Sequence, residues 1–445
     1  MVNAPWFIRN SDIHRVLGIP LIVDEIASYA TKQRARLEQH VNIEGARLLD
    51  NGIMTERFDR TRPFNLTQST NFLMEVFCQN NNGNCENVSI TTISGETVNK
   101  TGIICSGDLI FEDNFDTLDF SKWQHENTLA GGGNWEFQWY TNNRSNSFVK
   151  NGNLHIRPTL TSDIFGEEFL MSGTINILGG SPADECTNPS YWGCERNGTP
   201  LTVINPVRSA RLRSVKSFSF KYGKVEVRAK LPSGDWLWPA IWLLPKHNTY
   251  GSWPCSGEID IIESRGNLNL FKNGVNIGAE QVSSTLHFGP YPYVNAYKTT
   301  HFTKNSPQGL GFDKNFHKYQ MEWTSEFIKF SIDDIETGKV NTDRGFWNRG
   351  RFGEDYNLDN PWQYGSEMAP FDHEFYLIIS LAVGGITYFP DDAESTTGKP
   401  WINNSPTAMA EFWRAKNLWL PTWNIHNKNY TNSSLLIDYI RVYAI

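Results

Sequence analysis

The chain has 445 residues, a formal net charge of −8 and an aromatic content of 13%. This length exceeds one average domain and accommodates one large domain with an extension. The mild charge has no long run of one sign, which argues against nucleic acid and anionic membranes as partners and favours a neutral ligand. No apolar stretch reaches the length of a membrane span, so none is predicted.

Residues 1–66 differ in character from the rest of the chain. Apolar residues at helical spacing predict a helix over roughly 21–48. An ordinary helical extension is one interpretation. The stretches Leu17–Ile26, Leu37–Asn42 and Arg60–Leu66 also resemble the C-terminal tail of arthropod retrotransposon polyproteins, which implies a gene fusion or gene-model artefact. Such a fusion would explain why Met1–Trp6 lacks the basic start and apolar core of a signal peptide.

Residues 67–105 form a short β-rich segment in which Phe72–Phe77, Val88–Ile93 and Gly102–Ile104 are predicted strands. About thirty residues cannot bury a useful core alone. We therefore interpret the segment either as the remnant of a small β module or as a strand pair attached to the following domain.

Residues 106–445 are predicted to form one domain of short strands separated by Gly, Asn, Pro and Asp. Asn153–Arg157, Lys224–Lys230, Phe375–Leu381 and Leu435–Tyr443 are among these strands. Many strands without long helices between them indicate an all-β fold, an antiparallel β-sandwich of the jelly-roll type. The loops 162–208 and 340–372 are expected to rim one face.

Cysteines and glycosylation sequons favour a secretory route. The close spacings of Cys78/Cys85 and Cys186/Cys194 permit disulfides, although six cysteines allow many connectivities. Eight Asn-x-Ser/Thr sequons predict a glycoprotein. They begin at Asn65, Asn87, Asn99, Asn143, Asn197, Asn403, Asn429 and Asn432.

The candidate catalytic segment contains three acids, Glu258, Asp260 and Glu263, among three isoleucines. The β-branched residues predict a strand, which places Glu258 and Asp260 on one face because side chains alternate. Glu263 is an odd number of positions from Glu258, so a β-bulge near Ile261–Ile262 is needed to bring all three acids together. A solvated acidic face is the alternative. Retaining glycosidases use two carboxyls about 5–5.5 Å apart, and two glutamates on one face of a bulged strand could have this separation.

The same segment, Gly257–Glu263, resembles the signature of family 16 of the glycoside hydrolases, in its laminarinase branch. Matching stretches extend over roughly residues 106–445 and include Phe111–Phe115, Gly234–Trp242 and Asp438–Tyr443. These stretches are similar to those of invertebrate β-1,3-glucanases and β-1,3-glucan-binding proteins. The resemblance implies a jelly roll with a glucan cleft across its concave sheet. It also implies Glu258 as nucleophile, Glu263 as acid/base and Asp260 as their helper.

Further site residues are carried over from the resemblance. Trp238 and Trp253 are expected to stack on sugar rings, and Trp236 is a further platform candidate. For Trp242, within an apolar run, core packing is at least as good an interpretation. Hydrogen bonds to sugar hydroxyls are expected from the remaining candidates: Arg211, His287 and Asn142.

Two functions from different classes follow. The first is a secreted retaining endo-β-1,3-glucanase, and the alternative is a non-catalytic β-1,3-glucan-binding recognition protein of innate immunity. Both take a β-glucan as partner, and a monomer is expected. No cofactor is required, although a structural calcium occurs in relatives and Asp438 is a candidate to contribute to one. The chain has none of the zinc, phosphate-loop or serine-hydrolase motifs that would favour other chemistries.

Overall fold

The computed structural model describes residue 85 and residues 87–98, 102–181, 184–424 and 431–445. Within them the fold is an antiparallel β-sandwich with short helices. The described strands, numbered in chain order, are β1 (Thr92–Ser94), β2 (Leu109–Asp113), β3 (Gln124–His125), β4 (Gln138–Tyr140), β5 (Ser147–Lys150), β6 (Asn153–Ile156), β7 (Thr159–Leu160), β8 (Thr174–Asn176), β9 (Glu195–Asn197), β10 (Val207–Ser209), β11 (Arg211–Arg213), β12 (Ser219–Lys221), β13 (Gly223–Lys230), β14 (Leu237–Pro245), β15 (Glu258–Ser264), β16 (Leu270–Lys272), β17 (Val275–Asn276), β18 (Gln281–His287), β19 (His301–Asn305), β20 (His317–Trp323), β21 (Phe327–Ile332), β22 (Ile335–Asn341), β23 (Phe375–Val383), β24 (Glu394–Ser395) and β25 (Leu435–Tyr443).

The helices are short and lie in the connections between strands. The α-helices are α1 (Ser162–Phe165), α2 (Glu167–Ser172), α3 (Gly345–Arg349), α4 (Phe352–Tyr356), α5 (Ala408–Arg414) and α6 (Lys416–Trp419). The 3₁₀ turns are Gly131–Gly133, Ser190–Trp192, Tyr297–Thr299 and Leu420–Trp423. None of the helices in the described ranges is long and apolar enough to cross a bilayer.

Two large sheets form the sandwich. The nine-stranded sheet has the order β1-β12-β23-β14-β15-β18-β19, with β11 on β23 and β3 on β11. The eight-stranded sheet has the order β22-β21-β20-β13-β25-β6-β5, with β2 on β25. All of these pairings are antiparallel, so the predicted all-β jelly-roll class is confirmed. The strands predicted over Asn153–Arg157, Lys224–Lys230, Phe375–Leu381 and Leu435–Tyr443 are also present.

The core lies between the two sheets and is rich in aromatic rings. Trp323 meets Phe220 at 5.7 Å and Phe375 at 5.4 Å between ring centroids, both edge to face. All three side chains are buried. Ring pairs of this kind add about 0.5–1.5 kcal/mol each to the gain from burial alone. The core thereby holds the nine-stranded sheet in a fixed position behind the site.

The segment before residue 106 contributes an edge strand to this domain. β1 pairs antiparallel with β12, and Val88 forms an isolated bridge with Cys105. Gly102–Ile104 does not form the predicted strand. This segment is therefore attached to the sandwich where it is described. The predicted helix over 21–48, the strand over Phe72–Phe77 and the retrotransposon resemblance lie outside the described residues. The three-part division of the chain stays a prediction.

The described cysteines form two disulfides. Cys186 pairs with Cys194, as their spacing permits. Cys85 pairs with Cys105, one of the connectivities that the sequence left open. Residues 85 and 105 are brought together by the bridge between Val88 and Cys105, which sequence spacing does not reveal. Cys255 is buried with a free thiol.

Candidate active site

A β-bulge in β15 places the three acids on one face. On one side, Trp242 pairs with Asp260 and Ile241 with Ile262, so the register shifts by one residue. On the other side, the pairing with β18 shifts between Asp260 and Glu263. One extra residue therefore reverses the parity of Glu263, as the sequence predicts. The three isoleucines of the strand all point into the core.

The bulge is stabilised by a hydrogen bond from the neighbouring strand. The hydroxyl of Ser284 donates to the carbonyl oxygen of Ile261 at 2.7 Å. The ladder leaves this carbonyl without a regular partner, and an unpaired buried carbonyl costs free energy. Ser284 is itself buried in β18, so the bulge is a built feature of the sheet.

Each acid in the row has its own partner. The indole N–H of Trp253 donates to Glu258 Oε2 at 2.8 Å, and that of Trp238 donates to Glu263 Oε1 at 2.9 Å. His287 Nε2 lies 3.3 Å from Asp260 Oδ2. Glu258 and Glu263 are half-buried, whereas Asp260 is buried. The two glutamates are therefore oriented by indoles, whereas Asp260 lies close to the imidazole with Oδ2 not hydrogen-bonded.

Burial and mutual repulsion raise the pKa of all three acids. Burial and then the charge of Asp260 raise the pKa of Glu258 to about 8, although His287 and Trp253 favour its ionised form. Burial and Glu263 raise the pKa of Asp260, and burial raises that of Glu263. Like charges in a poorly solvated row cannot all persist. The row therefore retains protons at neutral pH.

The row faces a cleft of about 660 Å³ across β14, β15 and β23. β23 is buried along its whole length, because one face packs in the core and the other forms the cleft floor. Residues that line the cleft include Gly132, Gly133, Glu136, Tyr140, Tyr191, Arg211, Trp238, Trp242, Trp253, Tyr376 and Ser380. A cleft of this volume can hold a small molecule or several units of an oligosaccharide.

Trp238 is held in place by a stack of three flat groups. Its ring lies 4.0 Å from that of Tyr388 with an angle of 2° between the planes. The Arg265 guanidinium lies 4.1 Å from the centre of the Tyr388 ring and donates to the Tyr388 carbonyl. This stack fixes the indole that donates to Glu263. Tyr388 was not identified from the sequence, because it follows β23 far from the acids.

The structure corrects the expected roles of two tryptophans. Trp236 is fully buried against Phe389 and Trp401, so it offers no ring face to a ligand. Its backbone has φ 68°, and this left-handed turn just before β14 directs the ring into the core. Trp242, for which core packing was at least as good an interpretation, lines the cleft instead.

Arg211 lies in the cleft wall but is engaged with the protein. Its Nε lies 3.2 Å from Glu126 Oε1, and its guanidinium stacks 4.5 Å over the Trp242 ring. Burial opposes the charge of Arg211, but Glu126 and other neighbours raise its pKa overall. Arg211 therefore remains charged beneath the cleft. Its expected hydrogen bond to a sugar hydroxyl stays a prediction.

His287 lies beside the acid row, but its ring nitrogens face protein groups. Asn295 Nδ2 lies 2.8 Å from His287 Nδ1, and the Asn295 oxygen accepts from the backbone N–H of Phe288 and Tyr297, which fixes the amide orientation. His287 Nδ1 is thus an acceptor and Nε2–H faces Asp260. The expected hydrogen bond of His287 to a sugar hydroxyl stays a prediction.

Asn142 does not line the cleft with the acids. It lines a separate depression of about 450 Å³ together with Trp139 and Arg208. Its side-chain oxygen accepts a hydrogen bond from Arg144, two residues along the chain. The expected place of Asn142 in the active site is therefore corrected.

Glu136 is a fourth acid in the cleft that sequence reasoning missed. It accepts hydrogen bonds from Gln138 at 2.7 Å and from the Tyr140 hydroxyl at 3.4 Å. Burial raises its pKa, and its charge in turn raises the pKa of Glu263. An acid three residues after Gly131–Gly133 was the available signal, since glycines let a loop approach a site closely.

Within the described part of the chain, one group of three side chains could hold a metal: Glu258, Asp260 and His287. Side-chain ligand atoms of Glu258, Asp260 and His287 lie within 4.8 Å of one another. Glu258 also accepts a hydrogen bond from Trp253, whereas Asp260 Oδ2 is buried without a hydrogen-bond partner. Asp438 forms an ion pair with Arg228. A structural calcium stays a prediction.

We expect Glu258→Gln to stabilise the protein at alkaline pH. A free glutamate titrates near pH 4.3, so the unfolded chain releases this proton at low pH while folded Glu258 keeps it to about pH 8. The folded state therefore binds more protons, and stability falls as pH rises through this window. The amide removes that loss. Thermal unfolding at pH 8.5 should show a gain of about 2 °C or more, and no gain at pH 4.

The matched control is Glu326→Gln, which changes an exposed glutamate in the turn between β20 and β21. It should leave the melting temperature unchanged at both pH values. Equal melting temperatures for the wild type and Glu258→Gln at pH 8.5 would contradict the raised pKa.

Comparisons with known proteins place the chain in a family. Residues 187–352 match the family described as glycosyl hydrolases family 16. A β-1,3-glucan-binding protein of Penaeus monodon is 47% identical over 340 residues, covering 76% of this chain and 90% of the relative. β-1,3-Glucan-binding protein 1 of Manduca sexta is 33% identical, covering 79% of this chain and 68% of the relative.

Among solved structures, the laminarinase from Rhodothermus marinus is similar at 27% identity with a TM-score of 0.46, covering 76% of this chain and 98% of the laminarinase. The assignment depends on the family match and the sequence relatives. The chain belongs to family 16 of the glycosyl hydrolases and is related to β-1,3-glucan-binding proteins.

Proposed function

We propose that the chain binds β-1,3-glucan in the cleft above the acid row. The observation that carries the proposal is the convergence of the row with two indoles, Trp238 and Trp253, in one cleft. Sugar rings need both aromatic faces and hydrogen-bonding groups, and the cleft supplies them. The printed names of the relatives, β-1,3-glucan-binding proteins, support this ligand.

Trp253 is the main platform in this proposal. It is 41% exposed and yet held by its hydrogen bond to Glu258, so its ring face is open while its position is fixed. A ring that is already ordered loses little conformational entropy when a ligand stacks on it. Trp238 is more deeply placed and is covered on one face by Tyr388. It orients Glu263 and offers at most its other face.

A second candidate function is hydrolysis of the same glucan with retention of configuration. The specific observation that favours it is the complete acid row on one face of β15. Glu263 would protonate the leaving oxygen while Glu258 attacks the anomeric carbon, giving a glycosyl-enzyme. Glu263 would then accept a proton from water as the water displaces Glu258. Asp260, close to His287, lies between them.

The protonation states of Glu258 and Glu263 affect hydrolysis more directly than they affect glucan binding. A raised pKa suits Glu263 as an acid, because it must carry a proton. A pKa of about 8 opposes attack by Glu258 at neutral pH, because the protonated carboxyl is a poor nucleophile. The direction of this pKa shift favours glucan binding over rapid attack by Glu258 at neutral pH. This agrees with relatives named for binding.

Recognition of glucan outside the cell is the setting that we propose. The disulfides Cys85–Cys105 and Cys186–Cys194 support an oxidising compartment. The sequon residues Asn143 and Asn197 are exposed and open to glycosylation. Asn403 is less suited, because its amide nitrogen donates to the Phe389 carbonyl. A role in defence and a monomeric state stay predictions.

We expect laminarin to bind the wild-type protein at neutral pH and Trp253→Ala to weaken binding by about fivefold or more, since a stacking face is lost. Isothermal titration calorimetry measures both affinities. Tyr364→Ala is the control, because Tyr364 is 93% exposed and lies outside the cleft. Absence of laminarin binding by the wild type would reject the proposed function.

We expect any hydrolysis of laminarin to rise with pH by about tenfold or more between pH 6 and pH 8, because ionised Glu258 becomes more abundant as pH approaches its pKa. Release of reducing ends measures it. Glu258→Gln should abolish release and retain binding. Absence of release at every pH from about 5 to 9, with binding retained, would reject hydrolysis and leave the binding function.

A further inference from the structure

Three exposed aromatic side chains cluster beside the cleft, and we call them the aromatic platform: Trp135, Tyr191 and Trp192. Their exposed fractions are 43%, 50% and 69%. The Trp135 ring lies 5.3 Å from that of Tyr191 and 6.5 Å from that of Trp192. Large aromatic side chains are rarely clustered on a solvent-exposed surface, so such a cluster indicates a contact with a ligand or partner.

The backbone of the platform is strained in a way that presents the rings. Trp135, Tyr191 and Trp192 have φ values of 52°, 53° and 60°. Bulky residues rarely adopt this left-handed conformation, which costs on the order of 1 kcal/mol or more at each position. No core contact compensates for it, because all three rings are exposed. Strain of this kind is characteristic of functional sites.

The loop that carries Tyr191 and Trp192 is firmly anchored. The disulfide Cys186–Cys194 closes it, and the Gly193 carbonyl accepts from the backbone N–H of Leu129 at 2.8 Å. Arg196 Nη2 donates to the Tyr191 carbonyl at 2.8 Å. The platform is therefore largely formed before any ligand arrives, which lowers the entropic cost of binding.

The platform connects the cleft to a second cavity. Tyr191 lines the cleft that contains the acid row, whereas Trp135 and Trp192 line an adjacent cavity of about 780 Å³. Glu136 lines both. The wall of the second cavity also carries polar side chains, among them Asn404, that suit sugar hydroxyls. A polymer leaving the cleft past Tyr191 would meet Trp135 and Trp192 next.

We propose that the aromatic platform is an extension of the glucan site that binds further glucose units of the same β-1,3-glucan chain. The inference rests on the proposed function. Stacking of successive sugar rings on Tyr191, Trp135 and Trp192 would make affinity depend on glucan length. Short oligosaccharides would be held over the acid row alone, and longer ones would also cover the platform.

The test is calorimetric titration with laminaritriose and laminarihexaose. We expect Trp192→Ala to weaken hexaose binding by about threefold to tenfold while triose binding stays unchanged. Trp192→Phe keeps a ring face and should restore most of the loss. Trp253→Ala should weaken both ligands. Tyr364→Ala should change neither, and a melting curve confirms that each variant is folded.

Three results of these titrations would overturn the proposal. If the wild type binds both sugars and Trp192→Ala leaves hexaose affinity unchanged, the platform has no role and the proposed function stands. Equal weakening of triose and hexaose would show that the platform does not extend the site. A wild type that binds neither sugar would reject the proposed function together with the extension.

A glycan on Asn197, which also lines the second cavity, is the competing occupant. A dependence on glucan length that emerges only in Asn197→Gln would show that this glycan fills the cavity. That result would overturn the extension for the native chain.

Discussion

The site depends on one extra residue in β15. A regular strand would turn Glu263 away from Glu258, because side chains alternate between faces. The bulge at Ile261–Ile262 corrects this parity, and Ser284 stabilises it by binding the Ile261 carbonyl. The isoleucines keep the strand anchored in the core while the acids turn to the cleft. Sheet geometry and site chemistry are thus set by the same register shift.

The bulge has an electrostatic consequence. It concentrates three carboxyls in a poorly solvated row where they repel one another, and Glu136 adds a fourth acid nearby. Retained protons relieve this repulsion. The indole N–H groups of Trp238 and Trp253 orient the glutamates whichever form they take. In the proposed function, carboxyls that retain protons can donate hydrogen bonds to the hydroxyls of a neutral sugar.

Much of the fold and part of the site follow from the sequence. Parity and three isoleucines were enough to predict both strand and bulge at Glu258–Glu263. The resemblance misplaced Trp236, because a left-handed turn just before β14 directs its ring into the core. The apolar run around Trp242 suggested core packing, but Trp242 is an even number of positions from Trp238 and shares the cleft face of β14 with it. The partner of His287 could not be predicted either, since Asp260 meets it only through the pairing of β15 with β18.

Contacts between distant segments were also beyond sequence reasoning. Tyr388 reaches Trp238, and Glu136 joins the cleft, from connections whose paths are set by the whole sandwich. Asn142, in contrast, was predicted to line the cleft and does not. A motif position carried over from the family suggested the cleft, but the chain directs this residue into another depression. Local patterns predict strands and faces well, whereas loop paths depend on packing that no local pattern records.

The central claim is that glucan binds across the acid row organised by the β15 bulge. The most direct measurement is nuclear magnetic resonance of the indole N–H groups of Trp238 and Trp253 during titration with laminarihexaose, because these groups donate to Glu263 and Glu258. The account predicts that both resonances shift and reach saturation together. Binding of laminarihexaose that leaves both resonances unchanged would contradict it.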